Sequence, residues 1–448
     1  MGNENNDGYV EFMFSPVKHC ACGKSHDVKT PTLILGNGAI DRLKTLIPQY
    51  GATKIYLIAD KNTERVAGKV VERIINELSI PCAKCIFKED FLAPNEYAVG
   101  SAIMHYESAC DLIVAVGSGV INDIGKIVAT TANKPYFIVA TAPSMDGYAS
   151  ATSSMEREGL KVSLPSRCAD VIIGDIDVLK NAPMKMLQAG LGDMIAKYVS
   201  IAEWRIANLV IGEYYCENIA NQVRLALRKC IENADGLMQR EDQAVKAVFE
   251  GLVFCGKAMA FAGCSRPASG TEHYFSHIWD MRGLEFGLPV ELHGLQCARA
   301  TYIVVKLYEK LFSVTPSKEK ALSYVKNFDY GDWSEQLKCF LGKGALTMID
   351  LEKKECKYDK KKHAARLDRI LQKWQDILSI VQEEIPKPLD IEEILKLTGM
   401  EELLSEQDDR ELFIVFQATK DIRDKYVLSR LLWDLGLIEE MFFNNQNN

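Results

Sequence analysis

Three of the seven histidines lie within one short stretch that has a helical pattern. His273 and His277 are four residues apart, so both rings project from one face of the expected helix. His293 follows at the start of a second helical pattern. Two neutral imidazoles on separate rigid helices suit a first-row divalent metal, whereas hydrogen-bonded histidines of a core helix are the alternative. A catalytic metal site would also need a third protein ligand and an open position.

A carboxylate that could complete such a site lies at the start of the helical half of the chain. Asp193 belongs to the segment GLGDMIAK at 190–197, and we expect it in the first turn of a helix with Lys197 one turn later. An aspartate at a helix start is commonly only a cap. With two histidines, however, it makes a Lewis-acid centre that can polarise a carbonyl group.

Three cationic side chains are candidates for binding an anionic substrate. They are Lys161, Lys197 and Arg266, of which the arginine is the best suited to a phosphate. For each of them, a solvated surface position is the alternative.

A glycine-rich turn follows an apolar strand pattern in DLIVAVGSGVINDIGK. Gly117, Ser118 and Gly119 would let backbone N–H groups approach a pyrophosphate at a helix N-terminus. The spacing is not G-x-G-x-x-G, so a simple tight turn is the alternative. Asp60, at the end of an earlier strand, could accept from a ribose hydroxyl and favour NAD, or it could be a helix N-cap.

A polar loop, TAPSMDGYAS at 141–150, leaves another buried strand at the same edge of the sheet. Such a loop usually faces the ligand crevice, and Asp146 could accept from a sugar or polyol hydroxyl. Turn chemistry is the competing explanation.

The elements that must position these residues are a parallel sheet and a helical region. Strand patterns starting at 31, 54, 80, 111, 136 and 171 alternate with helical patterns, which implies a parallel sheet with helices on both faces. After about Ala182 the helical period dominates. We predict an arm at 1–29, a Rossmann-like α/β dinucleotide-binding domain at 30–181 and an all-α metal- and substrate-binding domain at 182–448, with a Lys-rich surface excursion at 310–365.

Composition narrows the class of protein. The net charge of −8 argues against nucleic acid or an anionic membrane as partner, and no apolar run is long enough to span a bilayer. Scattered cysteines in apolar surroundings are typical of reduced thiols in a cytosolic protein. Cys20, Cys22 and His26 have part of the spacing of a zinc site, but without a second pair the sequence favours a loop.

The sequence resembles the superfamily of iron-containing alcohol dehydrogenases, glycerol dehydrogenases and dehydroquinate synthases, and within it the glycerol-1-phosphate dehydrogenase branch. The segments that carry the resemblance span nearly the whole chain. They are LGNGAIDRL, ADKNT, VGSGVINDIGK, TAPSMDGYAS, GDIDVLKNAP, GLGDMIAKY, RPASGTEHYFSH, LHG and ATKDIRDKYVLSRLLWDLGL.

The resemblance implies specific residue roles. The metal ligands would be Asp193, His273 and His293. Asn122 and Asp123 would join the glycine turn at the cofactor pyrophosphate. Thr141 and Ser144, with Asp146, would line the nicotinamide and substrate, and Arg266 and His277 match substrate-site positions of the dehydroquinate synthases.

The resemblance also implies an activity. It is the NAD(P)H-dependent reduction of dihydroxyacetone phosphate to sn-glycerol 1-phosphate by a homodimer with one Zn²⁺ or Ni²⁺, or Fe²⁺. NAD(H) is favoured and NADP(H) stays open. The rivals are a dehydrogenase of glycerol or another unphosphorylated polyol, a dehydroquinate-synthase-like lyase that uses NAD catalytically, and an inactive binding protein that keeps the dehydroquinate synthase-like fold.

Overall fold

The computed structural model describes residues 3–4, 9–12, 17, 19–28, 31–405 and 408–443. These residues fall into two units. The first comprises the chain up to Met194 together with Asn221–Cys264, and the second comprises Ile195–Ala220 and the chain from Ser265 onward. The first unit thus includes residues 221–264, which the sequence analysis assigned to the all-α domain. The domain boundary at 181/182 stays a prediction.

A mixed sheet forms the centre of the first unit. Its strands are β1 (Asn3–Glu4), β2 (Tyr9–Phe12), β3 (Thr32–Gly36), β4 (Ile55–Asp60), β5 (Cys82–Phe87), β6 (Leu112–Gly117), β7 (Tyr136–Ala140) and β10 (Val171–Asp175), and a separate hairpin consists of β8 (Thr152–Arg157) and β9 (Leu160–Pro165). The order is β1-β2-β3-β10-β7-β6-β4-β5, parallel from β3 to β5. The central strands are apolar and buried nearly throughout, as parallel strands with helices on both faces must be. The predicted parallel sheet is confirmed.

Two parts of the first unit form strands that the sequence did not predict. The predicted arm contributes β1 and β2, which extend the sheet antiparallel beside β3. The hairpin of β8 and β9 turns at Glu158 and Gly159, both of which have positive φ, as a tight two-residue turn requires. The sequence of this segment has no continuous apolar run, because its more buried positions alternate with less buried ones and include short polar side chains.

Helices connect the strands as predicted. They are α1 (Leu43–Gln49), α2 (Lys61–Thr63), α3 (Lys69–Glu77), α4 (Glu96–Met104), α5 (Gly119–Ala132) and α6 (Ile176–Leu179). A π-helical turn at Glu64–Gly68 joins α2 to α3.

The rest of the described chain is helical, which confirms the predicted change of period after residue 180. The helices are α7 (Met184–Ile195), α8 (Lys197–Ile211), α9 (Glu217–Glu232), α10 (Asp242–Ala262), α11 (Thr271–Phe286), α12 (His293–Lys310), α13 (Lys318–Lys326), α14 (Tyr330–Leu341), α15 (Gly344–Glu355), α16 (Lys360–Gln372), α17 (Trp374–Glu384), α18 (Pro388–Leu397), α19 (Asp409–Thr419), α20 (Leu428–Asp434) and α21 (Ile438–Phe443). Among the described residues, none of these helices has both the length and the apolar character that a membrane crossing requires.

The prediction of an irregular surface excursion at 310–365 was wrong. The stretch forms α13 to α15 and the start of α16. Its apolar residues recur four apart and are buried, as Trp333, Leu337 and Leu341 show, while lysines occupy the outer face. The frequent lysines obscured the helical period in the sequence.

Candidate active site

The glycine turn lies between β6 and α5 in the first unit, as predicted. Gly117 ends the strand, Ser118 is the N-cap and Gly119 begins a helix of 14 residues. A Cβ atom on Gly117 would lie 2.4 Å from Cβ of Ile121, so only glycine permits this turn. The Thr141 N–H donates to the Gly117 carbonyl over 3.1 Å, which ties the end of β7 to the turn.

Asn122 and Asp123 have contacts inside the first unit. The Asn122 amide donates to the Gly147 carbonyl over 3.2 Å and its oxygen accepts from the Tyr136 hydroxyl. Asp123 forms an ion pair of 2.9 Å with Lys126, and burial raises the pKa of its carboxyl group against the effect of that lysine. These contacts hold the turn and the 141–150 loop together.

Lys126 is a structural residue of this site that the sequence reasoning missed. Its buried ammonium donates to the carbonyls of Gly147 and Thr152 in addition to its pair with Asp123. The signal was available, since Lys126 lies one turn after Asn122 on the buried face of α5.

Asp193 lies beside the 141–150 loop. Its Oδ2 accepts from the backbone N–H of Asp146 over 2.9 Å, and the side chain is fully buried. A Cβ atom on Gly190 would come within 1.8 Å of the Pro143 carbonyl oxygen, so this glycine is what allows α7 to approach the loop. Thr141 is buried, and Ser144 and Asp146 are half-buried.

The predicted helix position of Asp193 was wrong. Asp193 lies in the last turn of α7, and Lys197 begins the next helix, after a break at Ala196. The helix begins after Pro183, which has no N–H to donate and therefore suits a helix start.

Asp60 is the N-cap of α2. Its carboxylate accepts from the N–H groups of Asn62 and Thr63, and the Thr63 hydroxyl accepts from the Asp60 N–H, which completes a capping box. The contacts of Asp60 are therefore those of a helix N-cap, which was the alternative interpretation of this residue. Lys61 forms an exposed ion pair with Asp90.

The second unit holds the three predicted histidines together. His273 lies in the first turn of α11 and His293 is the first residue of α12. Their ring centroids are 5.1 Å apart, and the His277 ring lies 6.0 Å from that of His293. His273 is buried, whereas His277 and His293 are half-buried. The prediction that two helices bring these imidazoles into one place is confirmed.

Oxygen atoms hold the Nδ1 atoms of the His273 and His293 rings. His273 Nδ1 donates to Glu272 Oε1 over 2.8 Å. The Ser276 hydroxyl donates to Gln296 Oε1, so its oxygen accepts from His293 Nδ1 over 2.7 Å. Both rings therefore keep Nε2 as a lone-pair donor, the tautomer that a metal-ligating histidine needs.

Glu272 and Ser276 were missed as orienting residues. Glu272 is buried, and its Oε1 also accepts from the Gly270 N–H. Nearby Glu203 accepts from the N–H groups of Thr271 and Leu428; burial and the charge of Glu272 raise the pKa of Glu203. The signal was the position of Glu272 directly before His273.

Cys297 is a further donor that the sequence reasoning missed. Its Sγ lies 3.7 Å from His293 Nε2, and ligand atoms of His273, His293 and Cys297 lie within 4.8 Å of one another. Burial raises the pKa of the Cys297 thiol, but His273 and His293 lower it by more. The spacing of four residues from His293 on α12 was the available signal.

The three predicted cations have different environments. Arg266 is fully buried and forms a two-point ion pair with Glu213, with 2.7 Å between Nε and Oε1. Lys197 is also fully buried and donates to the Ala268 carbonyl over 3.1 Å. The alternative of a solvated surface position is wrong for both. Lys161, on β9 of the first unit, is half-buried; burial raises the pKa of Asp123, and the charge of Lys161 offsets a small part of that increase.

Comparison with known proteins gives consistent matches. Residues 34–183 match the family model of iron-containing alcohol dehydrogenases. The chain is 33% identical to a glycerol-1-phosphate dehydrogenase [NAD(P)+] from Halalkalibacterium halodurans, over 65% of this chain and 74% of the relative. It is 31% identical to the enzyme of the same name from Bacillus subtilis, over 67% of this chain and 78% of that one.

The fold has counterparts among solved structures. Glycerol dehydrogenase from Schizosaccharomyces pombe is similar with a TM-score of 0.55 at 15% identity, over 96% of this chain and 93% of that one. A match at this identity concerns the fold alone.

Proposed function

The chain belongs to the family of the NAD(P)+-dependent glycerol-1-phosphate dehydrogenases, and we propose that it reversibly reduces dihydroxyacetone phosphate to sn-glycerol 1-phosphate with NAD(P)H and one divalent metal. The names of the relatives support the substrate. One observation supports the chemistry: both Nδ1 atoms of the His273 and His293 pair are engaged, which leaves Nε2 as the donor atom of each of two rings whose centroids are 5.1 Å apart.

We assign Asp193, His273 and His293 as the metal ligands. One carboxylate and two neutral imidazoles suit Zn²⁺, Ni²⁺ or Fe²⁺. Asp193 is fully buried, and a buried carboxylate charge calls for a cation partner. When bound, the divalent ion polarises the C2 carbonyl of the substrate and stabilises the charge that develops on its oxygen.

We assign the cofactor to the glycine turn of the first unit. Gly117, Ser118 and Gly119 present backbone N–H groups and a helix N-terminus to the pyrophosphate. Thr141 and Ser144 line the nicotinamide, which supplies the hydride. Asn122 and Asp123 support this site through their contacts with Gly147 and Lys126.

Asp60 is assigned to the ribose of the cofactor. Its Oδ1 caps α2, and Oδ2 is the oxygen that would accept from a ribose hydroxyl, which favours NADH. Lys61 follows Asp60 in the sequence and is the candidate partner for the 2′-phosphate of NADPH, but its ammonium already forms an ion pair with Asp90.

The substrate is assigned to both polar and cationic residues. Asp146 accepts from a substrate hydroxyl group. Lys161 is the preferred partner for the phosphate because it is the only one of the three predicted cations that is not fully buried. Lys197 and Arg266 would add positive charge from buried positions, and His277 would donate a proton to the C2 oxygen.

An NADH-oxidation assay tests this proposal. The protein is stripped with a chelator, reloaded with Zn²⁺, Ni²⁺ or Fe²⁺, and assayed with dihydroxyacetone phosphate. We expect turnover to return with at least one of the metals and to be far weaker with unphosphorylated dihydroxyacetone. Equal or faster turnover of dihydroxyacetone would instead identify a polyol dehydrogenase. A failure to consume NADH stoichiometrically with either substrate would contradict a dehydrogenase.

We also propose that the enzyme acts in the cytoplasm as a homodimer. Support for the compartment comes from the thirteen cysteines, all of which lie among the described residues and none of which forms a disulfide there. Light scattering during size-exclusion chromatography should give twice the chain mass of 50.1 kDa, and the mass of a single chain would contradict the dimer.

A further inference from the structure

We propose that Cys20, Cys22 and His26 bind a structural Zn²⁺ ion in the first unit, separate from the metal of the proposed active site. One ligand atom from each of these residues lies within 4.8 Å of the others. Cys22 Sγ is 3.3 Å from His26 Nε2. Such a separation suits donors that share a cation, since Zn–S and Zn–N bonds of about 2.3 Å and 2.0 Å place tetrahedral ligands roughly 3.5 Å apart.

The backbone of the loop is built to bring the three side chains together. Val17 and His26 form an antiparallel bridge, with the Val17 N–H and the His26 N–H donating to each other's carbonyls over 3.2 and 2.8 Å. Inside it, the Gly23 N–H donates to the Cys20 carbonyl over 2.9 Å, and Gly23 has a φ of +80°. This turn reverses the chain at Ala21 and Cys22, from where it returns to His26.

His26 already has the tautomer of a zinc ligand. Its Nδ1 lies 3.0 Å from the carbonyl oxygen of Phe261, at the end of α10 in the same unit. A carbonyl can only accept, so Nδ1 must carry the proton and Nε2 keeps its lone pair towards Cys22. Metal-ligating histidines are commonly held in this way by an oxygen on the opposite ring nitrogen.

Apolar burial contributes little to holding this loop, since only His26 is buried among residues 19–28. Two thiolates and an imidazole are the donors that zinc prefers in structural sites, and the two thiolate charges neutralise the ion. A further ligand would complete the tetrahedron. The ion would then attach the loop that precedes β3 to the end of α10.

Zinc content tests the proposal. The full-length protein and the variant Cys20→Ser/Cys22→Ser are purified without chelator, and zinc per chain is measured by plasma mass spectrometry. We expect the variant to lose one equivalent. The matched control Cys339→Ser/Cys356→Ser, which removes two exposed cysteines, should keep its zinc. A variant with as much zinc as the unchanged protein would overturn the proposal.

Two further measurements remain decisive if the double variant does not fold. Cys22→His keeps a ligand and should keep the ion, whereas Cys22→Ala should lose it. In the unchanged protein, replacement of zinc by Co²⁺ should give a thiolate-to-metal charge-transfer band with the intensity of at least two thiolates.

The two metal proposals fail independently. His273→Ala/His293→Ala should lose the active-site metal and keep this zinc with its Co²⁺ band. If this variant lacks the Co²⁺ band, the proposed loop site is overturned, but the proposal about the enzyme's activity is not affected.

Discussion

Two buried histidines of this protein, which we assign to two different proposed metal sites, have similar hydrogen bonds and different neighbours. His26 and His273 each have Nδ1 held by an oxygen, at 3.0 and 2.8 Å respectively. For His26 the oxygen is the neutral carbonyl of Phe261, and the neighbours of the ring are thiols. For His273 it is the carboxylate of Glu272, and the neighbours are a second imidazole, that of His293, and the Cys297 thiol.

The two proposed sites differ in how much of the metal ion's positive charge their ligands neutralise. Thiolates neutralise a divalent ion and close its coordination, which suits a structural role. Neutral imidazoles with one carboxylate leave positive charge on the ion and a position for substrate, which suits polarisation of a carbonyl. The buried Glu272 carboxylate accepts from His273 Nδ1, and a partner of this kind orients a metal-ligating ring. The comparison predicts that changes near His273 reduce turnover, while changes near His26 reduce stability.

Replacement of each of the two histidines by alanine tests the comparison most directly and should have the largest effects. His273→Ala should lower kcat/KM by about 10³-fold or more, because a Lewis-acid metal contributes several kcal/mol. His26→Ala should lower the melting temperature by several degrees, with a loss of kcat/KM at least tenfold smaller. Steady-state kinetics and thermal melts measure both. Equal losses of kcat/KM in the two variants would show that the sites do not differ in role.

Glu272→Gln tests the charge behind His273. The amide keeps the shape of the side chain but removes the negative charge, so we expect metal affinity or kcat/KM to fall about 10–100-fold. Competition with a chelator measures the affinity. Glu319→Gln removes an equal charge from an exposed position and should have no effect. A Glu272→Gln enzyme with unchanged affinity would contradict the role of this carboxylate.

Ser276→Ala tests the neutral counterpart at His293. The variant removes the oxygen that accepts from His293 Nδ1, a loss of about 1 kcal/mol and so less than tenfold in metal affinity. The effect should be smaller than that of Glu272→Gln, because hydrogen bonds to ionised groups are the stronger ones. The same chelator titration compares them, and a larger loss in Ser276→Ala would reverse this ranking.

Lys257→Met probes the support of His26. Lys257 lies over the Phe261 ring, and burial lowers the pKa of its ammonium from 10.5 to about 8. The folded state therefore binds this proton less tightly than the unfolded state, and the cost is full below pH 8 and vanishes above pH 10.5. The variant should gain on the order of 1 kcal/mol of unfolding free energy at pH 7, since the burial cost exceeds the cation–π contact.

Urea denaturation of Lys257→Met at pH 7 and pH 10.5 measures this effect. The gain should shrink at the higher pH. A gain that is equal at both pH values would show that the charge of Lys257 is not its cause.

The sequence was most informative about repeating elements and least informative about polar partners. Alternating strand and helix patterns predicted the parallel strands, and the spacing of His273 and His277 predicted their shared helix face. The hairpin of β8 and β9 and the helices within 310–365 were missed. In both cases the apolar residues are separated by polar or charged ones, and their period is visible only once the buried face is known.

By itself the sequence determined the donors and the order of the elements, because side-chain chemistry and local periodicity are properties of neighbouring residues. Only the tertiary structure decided which partner each polar group has. Arg266 pairs with Glu213, 53 positions away, and the Nδ1 of His26 bonds to Phe261, 235 positions away. Burial removes water from these groups, so each must find a partner in the fold, wherever in the chain that partner lies.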